Sequence, residues 1–226
     1  MSKNKSIVCF GEILWDNLPT GSKRPGGAPM NVAYHLHKLG LTSYLISSIG
    51  NDEPGAELLG FLDSIGVEKE WVQINRERQT SQVVAKINAE HEVSYDIVAP
   101  VAWDYIRNES GLEELVKKSD GFVFGSLCSR NEVSRATLLN LLDNASYKVF
   151  DVNLRAPHYT PELITGLLKK ADMVKINAAE LSLIAQWNNI DPSRELDCVE
   201  AIFEKFGMSE ILITKGRMGQ LIITRT

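Results

Sequence analysis

Cysteine is scarce in this sequence, with three in 226 residues: Cys9, Cys128 and Cys198. They are odd in number and far apart, outside any metal-ligand spacing. That excludes a disulfide framework and a thiolate zinc site, and leaves buried reduced thiols as the expectation. No apolar run approaches the roughly 18 residues that a membrane-spanning helix needs. The opening Met-Ser-Lys-Asn-Lys-Ser leads into a strand-like "IVCF" with no apolar signal segment, so a cytoplasmic protein is expected, away from membranes. Positive charge is also short. There are 24 Lys and Arg against 29 Asp and Glu, a net charge of −5. Broad contact with nucleic acid or an anionic membrane is therefore not expected, although a local anion site stays open. Two phosphate signatures are missing: G-x-x-x-x-G-K-[ST], and G-x-G-x-x-G after the first strand. His35 and His37 stand two apart and so do not share a helix face, which argues against a metal there.

What remains is an ordinary globular composition, 44% hydrophobic and 23% charged, at a length that suits one large domain. Ile7 to Phe10 reads as a buried strand. "APMNVAYHLHKLG" follows as a helix, with an apolar stripe at Val32, Ala33, Leu36 and Leu39 and a stop at Gly40. Ser43 to Gly50 is a second strand. "EPGAELLGFLDSIGV" is a second helix, with Pro54 near its start and Gly66 at its end. Strand and helix alternate again after Asp104: strands at "GFVFGS", "YKVFDVN", "DMVKIN" and "EILITKG", helices at "EVSRATLLNLLDNA", "TPELITGLLKKA", "AAELSLIAQW" and "RELDCVEAIFEKFG". Such alternation predicts an α/β fold, a doubly wound and mostly parallel sheet. "QLIITRT" reads as a last strand, either an edge strand that closes the sheet or the end of an incomplete chain.

Two segments break the alternation. Gln82 to Ile87 and Glu92 to Val98 read as a hairpin around a polar turn. Glu12 to Arg24 reads as irregular. Excursions from neighbouring sheet edges can pair, so a small β lid over about 12–26 and 81–100 is expected.

In open α/β sheets ligands lie beyond the carboxyl ends of the strands. The polar residues there are Glu12 and Asp16, then Asp151, Asn153 and Arg155, then Asn177 and Glu180, then Thr214, Lys215 and Gly216 with Gly219 beyond. Gly26, Gly27 and Asn31 join them, since adjacent glycines before a helix mark a close approach to the backbone. Each has a structural alternative. Asp16 suits a turn, Asp151 a strand-end cap, and Asn177 with Glu180 a helix capping box; "TKGRMG" suits a plain hairpin turn.

The ordered pieces "FGEILWD", "PGGAPMNVAYHLHKLG", "SSIGNDEPGAELLGFLDSIGV", "DVNLR", "INAAE" and "ITKGRMG" span residues 10–219. Together they resemble the ribokinase-like (PfkB) sugar kinases, and within them the fructokinases. The resemblance implies transfer of the ATP γ-phosphoryl group to a sugar hydroxyl, with ATP and Mg²⁺ as cofactors. It implies that Asp16, Gly26, Gly27 and Asn31 bind the sugar, and that Asn153 and Arg155 lie between sugar and phosphates, with Arg155 stabilising charge. Asn177, Thr214, Lys215, Gly216 and Gly219 are implied in nucleotide binding, and Glu180 in organising Mg²⁺ through water. The lid is implied to exclude water and to pair between subunits of a homodimer.

The D-T-x-G-A-G-D-type motif, which supplies the family's anion hole and catalytic base, is not found in these 226 residues. The chain is therefore expected to be C-terminally incomplete, with little or no turnover. Alternative readings are a non-catalytic sugar-binding or regulatory homologue, or a kinase for another sugar, a sugar acid or a nucleoside.

Overall fold

The apolar run after Lys5 becomes β1 (Ser6–Phe10), in which Val8, Cys9 and Phe10 are fully buried. Covered on both faces, such a strand reads as continuous hydrophobe rather than alternation. The computed structural model describes residues 5–18, 21–87, 93–191 and 193–225. After β1 come β2 (Leu14–Asn17), β3 (Lys23–Gly26), α1 (Ala28–Lys38), β4 (Thr42–Gly50), α2 (Glu53–Ile65) and β5 (Val72–Asn75). Next are β6 (Ser81–Ile87), β7 (Val93–Ile97), a 3-10 turn (Ala102–Tyr105), α3 (Leu112–Lys118) and β8 (Gly121–Gly125). The remainder is α4 (Glu132–Asn144), β9 (Lys148–Asp151), α5 (Pro161–Leu168), β10 (Met173–Asn177), α6 (Ala178–Trp187), α7 (Glu195–Phe206), β11 (Glu210–Thr214) and β12 (Gln220–Thr224).

Eight strands form one sheet in the order β12-β11-β10-β9-β8-β1-β4-β5. Every pairing is parallel except β11 with β12, so β12 is an antiparallel edge strand. Side chains alternate across this sheet. Val8 and Phe10 enter a core with Phe122, Phe124, Phe150 and Trp103, while Cys9 enters a second core with Leu45, Met30 and Leu58. Phe124 and Phe150 stack at 5.0 Å between ring centres. The three cysteines are free and buried. Among the described residues no helix is long and apolar enough to cross a membrane.

The helices begin and end where their local chemistry says. Asp52 accepts the Gly55 N–H at 2.9 Å to start α2, and Gly66, at φ 74°, closes it. Thr160 caps α5 ahead of Pro161.

Two expectations need correction. Glu12 to Arg24 is not irregular: it holds β2 and β3, which pair antiparallel, with Leu14 opposite Gly26 and Asp16 opposite Arg24. At four residues each, interrupted by Pro25, these strands are too short to show a period. The helix α3 was not expected either; only Leu112 and Val116 on its seven residues are buried.

A second sheet runs β3-β2-β6-β7. It joins the two excursions, with β2 parallel to β6 and β6 antiparallel to β7. The turn of the expected hairpin, and Glu92 at its second arm, lie outside the described residues. The end of β7 is fastened to the main body by Arg130. Its guanidinium forms a two-pronged pair with Asp104 (2.7 and 2.8 Å), donates to the Val98 carbonyl at 2.8 Å, and lies 4.1 Å from the Trp103 ring centre.

Candidate active site

The parallel strands β1, β8, β9, β10 and β11 all end on one edge of the large sheet, which gathers residues from distant parts of the chain there. Gly11 and Glu12 leave β1. The chain then turns through β2 and β3 and returns at Gly27 to start α1. Gly27 has φ 111° and ψ 124°, where an L side chain is strained, and a Cβ on it would run into the carbonyl oxygen of Glu12. A Cβ on Gly26 would likewise run into Asp16 Oδ2. The two glycines thus let the chain pass directly over Glu12 and Asp16.

Asp16 is not a turn residue; it sits within β2, half-buried. Burial pushes its carboxyl upward, and the opposing influence is Arg155. That electrostatic influence links β2 to the loop after β9, although 139 positions of sequence separate them. Asn31 lies at the first turn of α1 with its side chain exposed, its backbone N–H bonded to the Gly27 carbonyl at 2.9 Å.

The loop after β9 is held from two sides. Asp151 pairs with Lys175 of β10 at 2.8 Å, so it is more than a strand-end cap. Asn153 takes φ 38°, a left-handed turn that Asn tolerates. The turn delivers the Leu154 N–H to Glu180 Oε1 at 2.8 Å. Arg155 is exposed, and among the described residues its guanidinium hydrogen-bonds only the neighbouring Leu154 carbonyl, at 3.2 Å. It is therefore available to a ligand.

Asn177 and Glu180 do form the capping box of α6. Asn177 Oδ1 accepts the Glu180 N–H at 2.9 Å, and Glu180 Oε2 accepts the Asn177 N–H at 3.0 Å. Glu180 therefore also carries the Leu154 contact, tying the Asn153–Arg155 loop to α6. A carboxylate offers about four lone-pair sites, so two remain to accept from metal-bound water. Its chemistry fits an outer role toward Mg²⁺, and as a single carboxylate it is too little to hold the ion alone.

Thr214 lies opposite Asn177 in the β10–β11 ladder. The following turn is the hairpin connection to β12, closed by Lys215 N–H to the Gly219 carbonyl at 2.9 Å. Gly216 (φ 56°) and Gly219 (φ 91°) face open space where a side chain would stand. The turn thus offers a bare backbone wall, which fits a nucleotide lying against it. Lys215 is held toward α7 by Glu195 at 2.6 Å rather than standing free over that wall.

One deeply buried group had no role in the sequence reading. Glu12 is 3% exposed, and its Oε1 accepts the Ala28 N–H at 3.1 Å. Its only sequence signal was its place immediately after a buried strand. The Arg130–Asp104 pair was not anticipated either; the signal available was a charged residue set among Val101, Ala102 and Trp103. A cavity of about 470 Å³ opens beside that pair, lined by residues including Pro100, Arg135, His158 and Tyr159 and by none of the anticipated site residues.

An open parallel sheet with a small second sheet beside its carboxyl edge, and a carboxylate, two glycines and an arginine converging between them, defines a ribokinase-like α/β protein. The chain belongs to the pfkB family of carbohydrate kinases, whose family model matches residues 5–226. It is 28% identical over 211 residues to fructokinase-2 of Solanum lycopersicum, covering 84% of this chain and 64% of that protein. The chain thus spans less than two thirds of that relative. Its fold superposes on fructokinase with bound ATP from Xylella fastidiosa with a TM-score of 0.84 at 22% identity, covering 99% of this chain and 72% of that one. The fructose-, ADP- and calcium-bound fructokinase of Vibrio cholerae O395 gives a TM-score of 0.80 at 22% identity, covering 97% and 73%.

Proposed function

We propose that this chain is the sugar-binding part of an ATP-dependent carbohydrate kinase whose acceptor is fructose. The carrying observation is the convergence of Asp16, the Gly26–Gly27 backbone and Arg155 from three separate segments. The carboxylate accepts from sugar hydroxyls, the Asn31 carboxamide both donates and accepts, and the bare glycine backbone lets the ring lie close. The loop carrying Asn153 and Arg155 is tied to Glu180 through the Leu154 N–H, and Arg155 would offset charge on a transferring phosphoryl group. The ATP bound in the Xylella fastidiosa fructokinase and the fructose and ADP bound in the Vibrio cholerae one favour the same assignment.

Mg²⁺, when bound with the nucleotide, would neutralise phosphate charge, with Glu180 orienting its waters. Asn177, Thr214, Lys215, Gly216 and Gly219 would form one wall for the nucleotide. The second sheet closes over the sugar and excludes water.

Calorimetric titration of the chain with fructose, with Asp16→Ala and Arg155→Ala beside it, tests the proposal. Saturable fructose binding is expected, weakened at least about tenfold by Asp16→Ala, since a charge-assisted hydrogen bond contributes roughly 1.5–3 kcal/mol. Arg155→Ala is expected to leave fructose binding within a few-fold and to weaken binding of Mg²⁺–ATP more. Absence of sugar binding, or a fructose affinity indifferent to Asp16→Ala, overturns the assignment.

A further inference from the structure

We infer that Glu12 is a positioning residue of the acceptor site, clamping the Gly26–Gly27 floor and the start of α1 onto the end of β1. The inference rests on the sugar-site reading above.

The helix α1 begins without ordinary help. Its N-cap is Gly27, which has no side chain to cap with, and its first turn holds no acidic residue. The first backbone N–H groups of a helix have no partner within the helix, and its positive end favours a nearby anion. Glu12 supplies both from another element. Its Oε1 accepts the N–H of Ala28, the first residue of α1. Its own carbonyl oxygen occupies the space that a Gly27 Cβ would need. The main chain of Glu12 therefore packs directly against Gly27 while its side chain bonds the next residue, Ala28.

The second carboxyl oxygen is the unusual part. Glu12 Oε2 is buried with no hydrogen-bond partner. A bare buried oxygen favours the neutral acid over the anion. Burial accordingly lifts the Glu12 carboxyl to about 7. The charged groups around it come from three directions. Asp151, at the end of β9, pushes it the same way, and Arg155, in the loop beyond, opposes that push. Cys128, in the 3-10 turn after β8, faces it with a thiol held neutral by its own burial. Lys175 acts at one remove, through its pair with Asp151. From α1 comes only the positive helix end. Ionising Glu12 would leave a charged Oε2 buried with no partner, so the neutral acid is the form the folded floor favours, its Oε1 still accepting the Ala28 N–H. The floor should be held more firmly, and sugar bound more tightly, on the acid side.

The test uses the full 226-residue chain labelled with ¹⁵N, as wild type, Glu12→Gln and Glu12→Ala. The amide signal of Ala28 is followed from pH 5.5 to 8.5, and fructose affinity is measured over the same range. In the wild type the Ala28 amide is expected to titrate with a midpoint near 7, and fructose affinity to fall at least threefold from pH 6 to 8. Glu12→Gln keeps an acceptor oxygen but cannot ionise. It should abolish the Ala28 titration and flatten the affinity profile, while remaining closer to wild type in affinity than Glu12→Ala. A purely structural role would shift melting temperature without changing the pH profile. A wild-type Ala28 amide that does not titrate, or a titration that survives in Glu12→Gln, overturns the inference, and both outcomes are read even if Glu12→Ala fails to fold. Loss of fructose binding at every pH with the Ala28 titration intact would overturn the sugar reading instead and leave the clamp standing.

Discussion

At the scale of single residues, Gly27 shows how far a motif can be read and where reading stops. Two adjacent glycines before a helix announce that something approaches the backbone. The structure shows that the first thing to approach is the protein itself, the carbonyl of Glu12 fifteen positions earlier. Local sequence holds no trace of that contact, because the fold of β2 and β3 creates it. Gly27→Ala would place a Cβ into that oxygen at a backbone angle L residues avoid. It is expected to destabilise the chain by about 2–4 kcal/mol, read as the shift of the urea midpoint. Gly216→Ala, at φ 56° with open space around it, should cost only about 1 kcal/mol. Equal costs at the two positions would refute the close-approach account. Glu12 carries a stability prediction with a definite sign. Its folded carboxyl sits above its ordinary 4.5, at about 7, so the folded state holds the proton more tightly than the unfolded chain. The associated stability is fully present below pH 4.5 and is lost as pH rises through 7. Glu12→Gln should remove that decline, a difference on the order of 3 kcal/mol across the interval. Parallel stability profiles for the two proteins would exclude it.

Elements were legible where their ends carry local chemistry. Asp52 and Gly66 bound α2, Thr160 and Pro161 start α5, and Asn177 with Glu180 start α6; each signal lies within a few residues of what it controls. Short elements were not. The four-residue strands β2 and β3 show no period, and α3 has two buried positions in seven. Capping and loop anchoring meet in one residue, since Glu180 completes the α6 box and also holds the Asn153–Arg155 loop. The fastening of β7 is the element-scale feature with the sharpest consequence. The side chains of Arg130 and Asp104 are 7% and 2% exposed, so removing one leaves the other buried and charged. Arg130→Ala is expected to cost about 3–5 kcal/mol and to release the end of β7. The double variant Arg130→Met with Asp104→Asn should recover much of that stability, because neither partner is then stranded. Chemical denaturation gives the first comparison. Limited proteolysis between residues 81 and 100 gives the second: faster cleavage is expected in both variants, since both lose the tie to the Val98 carbonyl. A double variant less stable than Arg130→Ala would show that the pair stabilises the fold beyond mutual charge satisfaction.

Across the whole molecule, the mostly parallel sheet followed from alternation, because strands joined by helices run parallel, whereas the strand order is visible only in the fold. The joining of the two excursions was also anticipated, but not the parallel register of β2 on β6, since Leu14 meets Ser81 across 67 positions. The site is legible for a related reason: the topology forces the strand ends together, so polar residues that follow strands collect on one edge wherever they fall in sequence. No such rule covers Arg130 and Asp104, whose pairing depends on how a turn packs against the α4 start. The far edge of the sheet makes a prediction of its own. There β12 is an antiparallel edge strand, with Ile222 58% exposed and Leu221 and the nearby Met218 also open. An exposed edge strand bearing apolar side chains is a template for pairing with another chain. The 226-residue chain is therefore expected to associate as its concentration rises, through β12 rather than through the second sheet. A lysine at an edge opposes such pairing by charge and hydration. Ile222→Lys should raise the monomeric fraction in light scattering while leaving fructose binding within twofold of wild type. Association that persists in Ile222→Lys but disappears on altering an exposed β3 residue, for example Arg24→Glu, would move the contact to the second sheet.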